Sequence, residues 1–207
     1  NFAGVAGSNF NYNFAGLLDG AGREKSTSDD FWYTAAFNIT PFEGLSIKGD
    51  YTGNKFNREL SQHSKTVYQT MPAESTLDPL VAGSTNGVSK TRYADTYQAL
   101  NVWADYKKSF DDVHNLGVMV GYNQESKKTT SITASASNLF DNNFPVLDLA
   151  STSNRSTEAA TIWAVQGAFF RINYDYMQRY LVEVNGRYDG SSKYASGDRW
   201  GFFPSVS

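Results

Sequence analysis

The stretch Arg179–Ser207, RYLVEVNGRYDGSSKYASGDRWGFFPSVS, opens with a period of two. Successive side chains of a strand point to opposite faces. Tyr180, Val182, Val184, Gly186 and Tyr188 therefore share one side, and Glu183, Asn185, Arg187 and Asp189 share the other. The alternation ends at Asp189-Gly190-Ser191-Ser192, which reads as a turn, and a new strand begins near Arg199. One face thus lacks any ionised residue while its opposite carries three. A strand between hydrocarbon and a watery lumen needs that division, because Lys or Arg facing lipid at the midplane costs roughly 2–4 kcal/mol.

Six strands precede that last beginning. Strand five, about Ala159–Tyr176, sets Ala168, Phe170, Ile172, Tyr174 and Tyr176 against Phe169, Arg171, Asn173 and Asp175. A very short turn near Met177–Arg179 joins it to strand six, Tyr180–Asp189. Upstream, Phe31–Thr40 and Leu45–Asn54 flank a tight turn at Pro41-Phe42-Glu43-Gly44. Arg92–Lys107 and Leu116–Lys127 flank a turn at residues 111–115, with Asn101, Trp103 and Asp105 opposite Leu100, Val102, Ala104 and Tyr106. Residues 55–90 and 128–157 are polar, without a sustained period, and are expected to be long loops. Short turns then alternate with long loops, as in a transmembrane barrel, and several strands reach the 9–11 residues that crossing needs. Phe31, Tyr33, Tyr106, Tyr174, Tyr176 and Tyr180 fall near strand ends, where aromatic girdles are expected.

The totals agree. Aromatic residues make up 15% of 207 residues, yet the mean hydropathy is -0.47. Alternating strands reconcile many rings with a polar average, and no apolar run is long enough for a membrane helix. The net charge is -3 and the basic residues are scattered, so no nucleic-acid partner is expected. Without cysteine there is no disulfide framework or thiolate metal site.

Taken as motifs, these residues resemble the SusC/RagA family of TonB-dependent transporters. The resemblance rests on Arg179-Tyr180-Leu181, Asn185 to Ser192, and Arg199-Trp200-Gly201-Phe202-Phe203-Pro204-Ser205-Val206-Ser207. Ile172 to Tyr176, His114-Asn115 with Gly121-Tyr122, Asp30 to Tyr33 with Pro41 to Gly44, and Asn11 to Phe14 with Gly16-Leu17-Leu18 extend it upstream. It implies an all-β fold, an antiparallel transmembrane β-barrel segment contributing about seven strands of a larger barrel of about 22. It also implies an outer-membrane location in a Gram-negative bacterium. The partners it implies are a SusD-like surface lipoprotein, the TonB complex (through parts outside this chain), outer-membrane lipid, and an oligosaccharide or peptide substrate. Residues 1–207 are expected to form part of one barrel domain, with the plug domain and the barrel ends elsewhere in a longer protein.

Catalytic constellations are not expected. His63 and His114 lie in separate connections, and the adjacent pairs Asp29-Asp30 and Asp111-Asp112 sit by turns. Gly20-Ala21-Gly22 lacks the rest of a dinucleotide fingerprint. Asp141-Asn142-Asn143 lacks the glycine and closing glutamate of a calcium loop. The reading is non-enzymatic, with no cofactor and no metal. Candidate substrate-binding residues are Trp103, Arg171, Glu183, Asn185, Arg187 and Asp189 on the lumen face, and Tyr68 and Phe140 (with Phe144) in loops. The alternative is a soluble β-sandwich that binds carbohydrate, for which many strands and surface rings also suit. A β-rich hydrolase is disfavoured by the missing constellation.

Overall fold

The computed structural model describes residue 20 and residues 22–66, 68–70, 77–79 and 85–207; the side chains of residues 68–70, 77–79 and 152–154 fall outside that description. Among the described residues nine strands follow in order: β1 Gly22–Phe42, β2 Leu45–Ser64, β3 Tyr68–Thr70, β4 Leu77–Pro79, β5 Gly87–Phe110, β6 His114–Leu139, β7 Ala150–Tyr176, β8 Tyr180–Ser191 and β9 Trp200–Val206. A single-turn 3-10 helix, Leu147–Leu149, precedes β7. Seven strands form one sheet in the order β1-β2-β5-β6-β7-β8-β9, and β3 and β4 pair separately. Each strand of the large sheet thus lies beside its chain neighbour, with β3–β4 inserted between β2 and β5. The motif at residues 11–18 lies outside the described residues.

The three short turns fall where the sequence places them. Two bend through left-handed backbone: Asp111 and Asp112 with φ of 50° and 54°, Met177 and Gln178 with φ of 51° and 57°. Successive positive φ values match the twist of the flanking strands. The second turn is closed by the Arg179 N–H donating to the Tyr176 carbonyl at 3.0 Å, and the Gln178 N–H donates to the Asp175 carboxylate at 2.8 Å.

The expected long loops are corrected. β2 continues to Ser64, β5 already begins at Gly87, β6 runs to Leu139 and β7 starts at Ala150. Their outer ends lack an apolar period because polar groups pair across strands there. Thr91 and Thr133 share a 2.9 Å hydroxyl bond, Arg58 donates to Ser26 at 2.9 Å, and Gln62 donates to Glu24 at 2.8 Å.

Contacts group the chain into two units. The first takes, of the described residues, those up to Ser28, Arg58–Tyr93 and Ser131–Ala159. It holds a small core of Val88, Ala136 and Leu139, with Leu147 and Ala150 packed on it. Two asparagine side chains act there as substitute backbone. Asn86 donates to the Leu139 carbonyl at 3.0 Å and accepts from the Leu139 N–H at 2.8 Å. Asn142 pairs likewise with both backbone groups of Thr66, each at 3.0 Å. Removing one such clamp loses bonds worth about 1 kcal/mol each. Asn86→Ala in the full-length protein is therefore expected to speed protease cleavage within residues 140–149 several-fold, read by limited proteolysis, without changing the global unfolding midpoint.

The second unit takes Asp29–Asn57, Ala94–Thr130 and Ala160–Ser207. Its two faces differ as the alternation requires. Tyr180, Val182, Val184, Gly186 and Tyr188 of β8 stand in register with Tyr176, Tyr174, Ile172, Phe170 and Ala168 of β7. On β9 the same row holds Phe202, Pro204 and Val206. This face stays uncovered: Val182 is 47% exposed, Val206 73%, Ile39 55% and Val120 52%.

Rings border the apolar band on two sides. One row joins Tyr176 to Tyr180 at 6.5 Å between ring centroids, His114 to Tyr176 at 5.0 Å, and Phe42 to Tyr106 at 6.4 Å. The other joins Phe31 to Tyr33 at 5.9 Å, Tyr33 to Tyr51 at 6.1 Å, and Tyr188 to Trp200 at 5.0 Å. Tyr180 and Tyr188 end the band on β8. Eight residues of strand span about 26 Å. A tilt of about 40° reduces that to about 20 Å, close to the apolar height of a membrane barrel.

Candidate lumenal site

The opposite face of the second unit is polar and cross-linked. Arg171 on β7 donates through Nε to Asn185 Oδ1 at 2.8 Å, and Asn185 donates through Nδ2 to Glu183 Oε1 at 2.6 Å. Arg171 and Glu183 lie 4.0 Å apart. Two residues along β8, Arg187 grips Asp189 with both arms, Nε to Oδ2 at 3.1 Å and Nη2 to Oδ1 at 2.9 Å. Such paired bonds fix the guanidinium plane. Nη2 also donates to Asn123 Oδ1 at 3.1 Å, and the guanidinium lies 5.3 Å above the Phe169 ring.

The face continues on the earlier strands. Asp30 accepts from Asn54 Nδ2 and, at 3.1 Å, from Trp32 Nε1. Trp32 lies 5.9 Å from the Tyr97 ring. Asn101 Nδ2 donates to Asp50 at 2.9 Å, and Lys127 pairs with Asp95 at 2.9 Å. These charges are paired across neighbouring strands, as side chains facing water inside a narrow wall can be without the desolvation that lipid would impose.

The sequence candidates separate into three groups. Arg171, Glu183 and Asn185 form one network, and Arg187 and Asp189 form a second. Trp103 stands half-buried on β5 and belongs to neither. Phe140, 93% exposed, and Phe144 belong to the first unit, and the Tyr68 side chain lies outside the described residues. Reasoning from sequence missed Asn123, Phe169, Asp30, Asn54 and Tyr97 as partners. Their positions in the alternation carry the signal for the face, but only strand pairing brings them together.

A single sheet with one uncovered apolar face, two bordering rows of rings and one cross-linked polar face is a wall segment of a transmembrane β-barrel. No protein-family profile matches the chain. It is 26% identical over 166 residues to TonB-dependent receptor P3 of Formosa agariphila, covering 79% of this chain and 15% of that protein. It is 41% identical over 51 residues to TonB-dependent receptor SusC of Bacteroides thetaiotaomicron, covering 25% of this chain and 5% of SusC. The fold superposes on the RagAB peptide transporter with a TM-score of 0.78 at 22% identity, over 91% of this chain and 20% of that one. The chain resembles TonB-dependent receptors of Formosa agariphila along most of its length, and SusC over a quarter of it. It spans only about 15% of the Formosa receptor it matches.

Proposed function

We propose that this chain forms part of the wall of an outer-membrane TonB-dependent transporter. In this reading the transporter imports oligosaccharides or peptides, works with a SusD-like surface lipoprotein, and draws energy from the TonB complex through segments outside residues 1–207. The apolar faces of β7, β8 and β9 meet lipid, and the networks of Arg171 and Arg187 face the path of the substrate. The segment does no chemistry of its own.

The two-faced sheet bordered by ring rows carries this reading. A soluble protein seldom leaves more than a few hundred Å² of contiguous apolar surface uncovered. Here an entire face of β7–β9 is apolar between its rings, while the charged groups lie on the other face. No helix among the described residues is long and apolar enough to cross a membrane. The full-length protein is expected to fractionate with the outer membrane and to migrate faster on a gel when unheated. Recovery in the soluble fraction with no heat-dependent shift would overturn the reading in favour of a sandwich module.

A further inference from the structure

The strands of the second unit divide their charges unevenly between the two faces. On β2 and β5–β8 the carboxylates of this unit fall on the lumen side, Asp50 and Asp95, Glu125 and Asp175, Glu183 and Asp189 among them. The ionised residues that the same stretches turn toward lipid are basic: Lys55 on β2, Lys108 on β5 and Lys128 on β6. Contacts of their neighbours fix those directions. Asn54 bonds Asp30 and Lys127 pairs with Asp95, both on the lumen side. Lys55 and Lys128 are each one residue further on and so face the other way. Tyr33, whose ring lies over Gly53 and beside Tyr51, marks that outer side on β2. Asp29 on β1, next to the lumenal Asp30, is the one carboxylate that the strands of this unit place there. The ion pairs among the described residues join Lys127 to Asp95, Arg171 to Glu183 and Arg187 to Asp189, and none includes Lys55 or Lys128.

The two lysines stand on one line across the sheet. Asn101 on β5 donates to Asp50 on β2 at 2.9 Å, and the Lys107 N–H donates to the Gly44 carbonyl at 2.8 Å. Carried outward along this antiparallel pair, the register sets Lys55 opposite Thr96. The Thr130 hydroxyl donates to the Ala94 carbonyl at 3.3 Å, so two residues along, Thr96 stands opposite Lys128. All three side chains are exposed. Lys55 and Lys128 are thus two strand spacings apart, about 10 Å, with the Thr96 hydroxyl between them. Along its strand Lys55 lies about 13 Å beyond Tyr51, and Lys128 about 20 Å beyond Tyr122. A tilt of about 40° puts them about 10 Å and 15 Å above those rings, on the side away from the short turns. Ordinary headgroups add only about 5–8 Å to the hydrocarbon on each side. Two ammonium groups flanking a hydroxyl attract an anion and donate to its oxygens, and a phosphate ester presents several such oxygens with its charge. At this height the phosphate is one carried on a tall, sugar-bearing headgroup.

We infer that Lys55, Thr96 and Lys128 hold a phosphate of a phosphorylated glycolipid on the lipid side of the wall. The inference rests on the reading of the chain as a membrane-barrel wall and adds a partner on its outer surface. To test it, full-length protein purified in detergent is titrated, by native mass spectrometry, with a rough lipopolysaccharide, with the same lipopolysaccharide stripped of its phosphates by hydrofluoric acid, and with phosphatidylglycerol. The phosphorylated glycolipid is expected to bind at least tenfold more tightly than either of the others. The double variant Lys55→Gln with Lys128→Gln is expected to remove that preference, and Thr96→Val to weaken it about threefold, while the heat-dependent gel shift persists. Lys127→Gln makes the same change of charge one residue away on the lumen side and is expected to leave binding at the wild-type level. Equal affinity for the phosphorylated and stripped glycolipids, tighter binding of phosphatidylglycerol, or a loss in Lys127→Gln as large as in Lys128→Gln would each overturn the site and leave the wall reading standing. A protein that never reaches the outer membrane and shows no gel shift would remove both.

Discussion

Val184→Arg, placed in the full-length protein, is expected to abolish most of the heat-modifiable form in the outer-membrane fraction, whereas Glu183→Ala leaves it near the wild-type level. Val184 stands four residues from Tyr180 and four from Tyr188, in register with Ile172 on β7 and Val206 on β9. That is the centre of the apolar band. An arginine there costs roughly 2–4 kcal/mol, against a cost near zero at the band's edges. Total stabilities are typically about 5–15 kcal/mol, so assembly and stability both suffer. Glu183 is one residue away on the opposite face. Its loss removes a 2.6 Å bond from Asn185 and a 4.0 Å approach to Arg171, between side chains 39% and 49% exposed. Ion pairs of that exposure contribute about 0–1 kcal/mol. Gel shift and urea midpoint in detergent read both variants. A damaging Glu183→Ala beside a harmless Val184→Arg would mean that the faces are inverted.

The strand pairs around this position were legible because lipid imposes contrast. Where one face of a strand meets hydrocarbon, every second residue must be apolar, and Tyr180–Asp189 shows that period directly. Beyond the ring rows the contrast ends. Lys127-Lys128-Thr129-Thr130-Ser131 belongs to β6, but neither of its faces is apolar, so no period marks it as a strand. Pairing with neighbours makes it one, through contacts such as Lys127 with Asp95. Residues 55–64, 87–90, 128–139 and 150–157, which the sequence alone reads as loop, are strand for this reason. The Arg187 site was legible only in part. Arg187 and Asp189 appear as polar positions on one strand. The neighbours of Asp189, Gly167 and Gly201, lie on two other strands and meet it only through register. Asn86 and Asn142 were invisible as clamps, because an asparagine in a polar loop looks like any turn residue.

Glycines inside these strands carry a second expectation, that Gly186→Ala destabilises the full-length protein by about 2 kcal/mol while Gly117→Ala changes stability by less than about 0.5 kcal/mol. Glycine weakens a strand on propensity alone, so replacing it with alanine gains stability wherever space allows. At Gly117 a Cβ would meet Asn173 at 3.7 Å, an ordinary contact. At Gly186 it would run into the Phe170 ring on β7 and sit 3.1 Å from the Phe202 ring on β9. The two rings approach from opposite neighbours, so neither can yield toward the other strand without losing its seat. A single ring from a neighbouring strand lies over the glycine at four other positions, Phe37 over Gly49, Tyr33 over Gly53, Phe169 over Gly121 and Trp200 over Gly190. A ring laid across a bare backbone position covers hydrogen-bonded peptide groups that lipid or lumen would otherwise reach. If that seating matters, trimming one ring in the double variant Gly186→Ala with Phe170→Leu restores part of the loss, a coupling that a cycle of urea midpoints measures. Equal losses at Gly186 and Gly117, with no recovery in the double variant, would tie the glycines to the backbone itself and not to the rings above them.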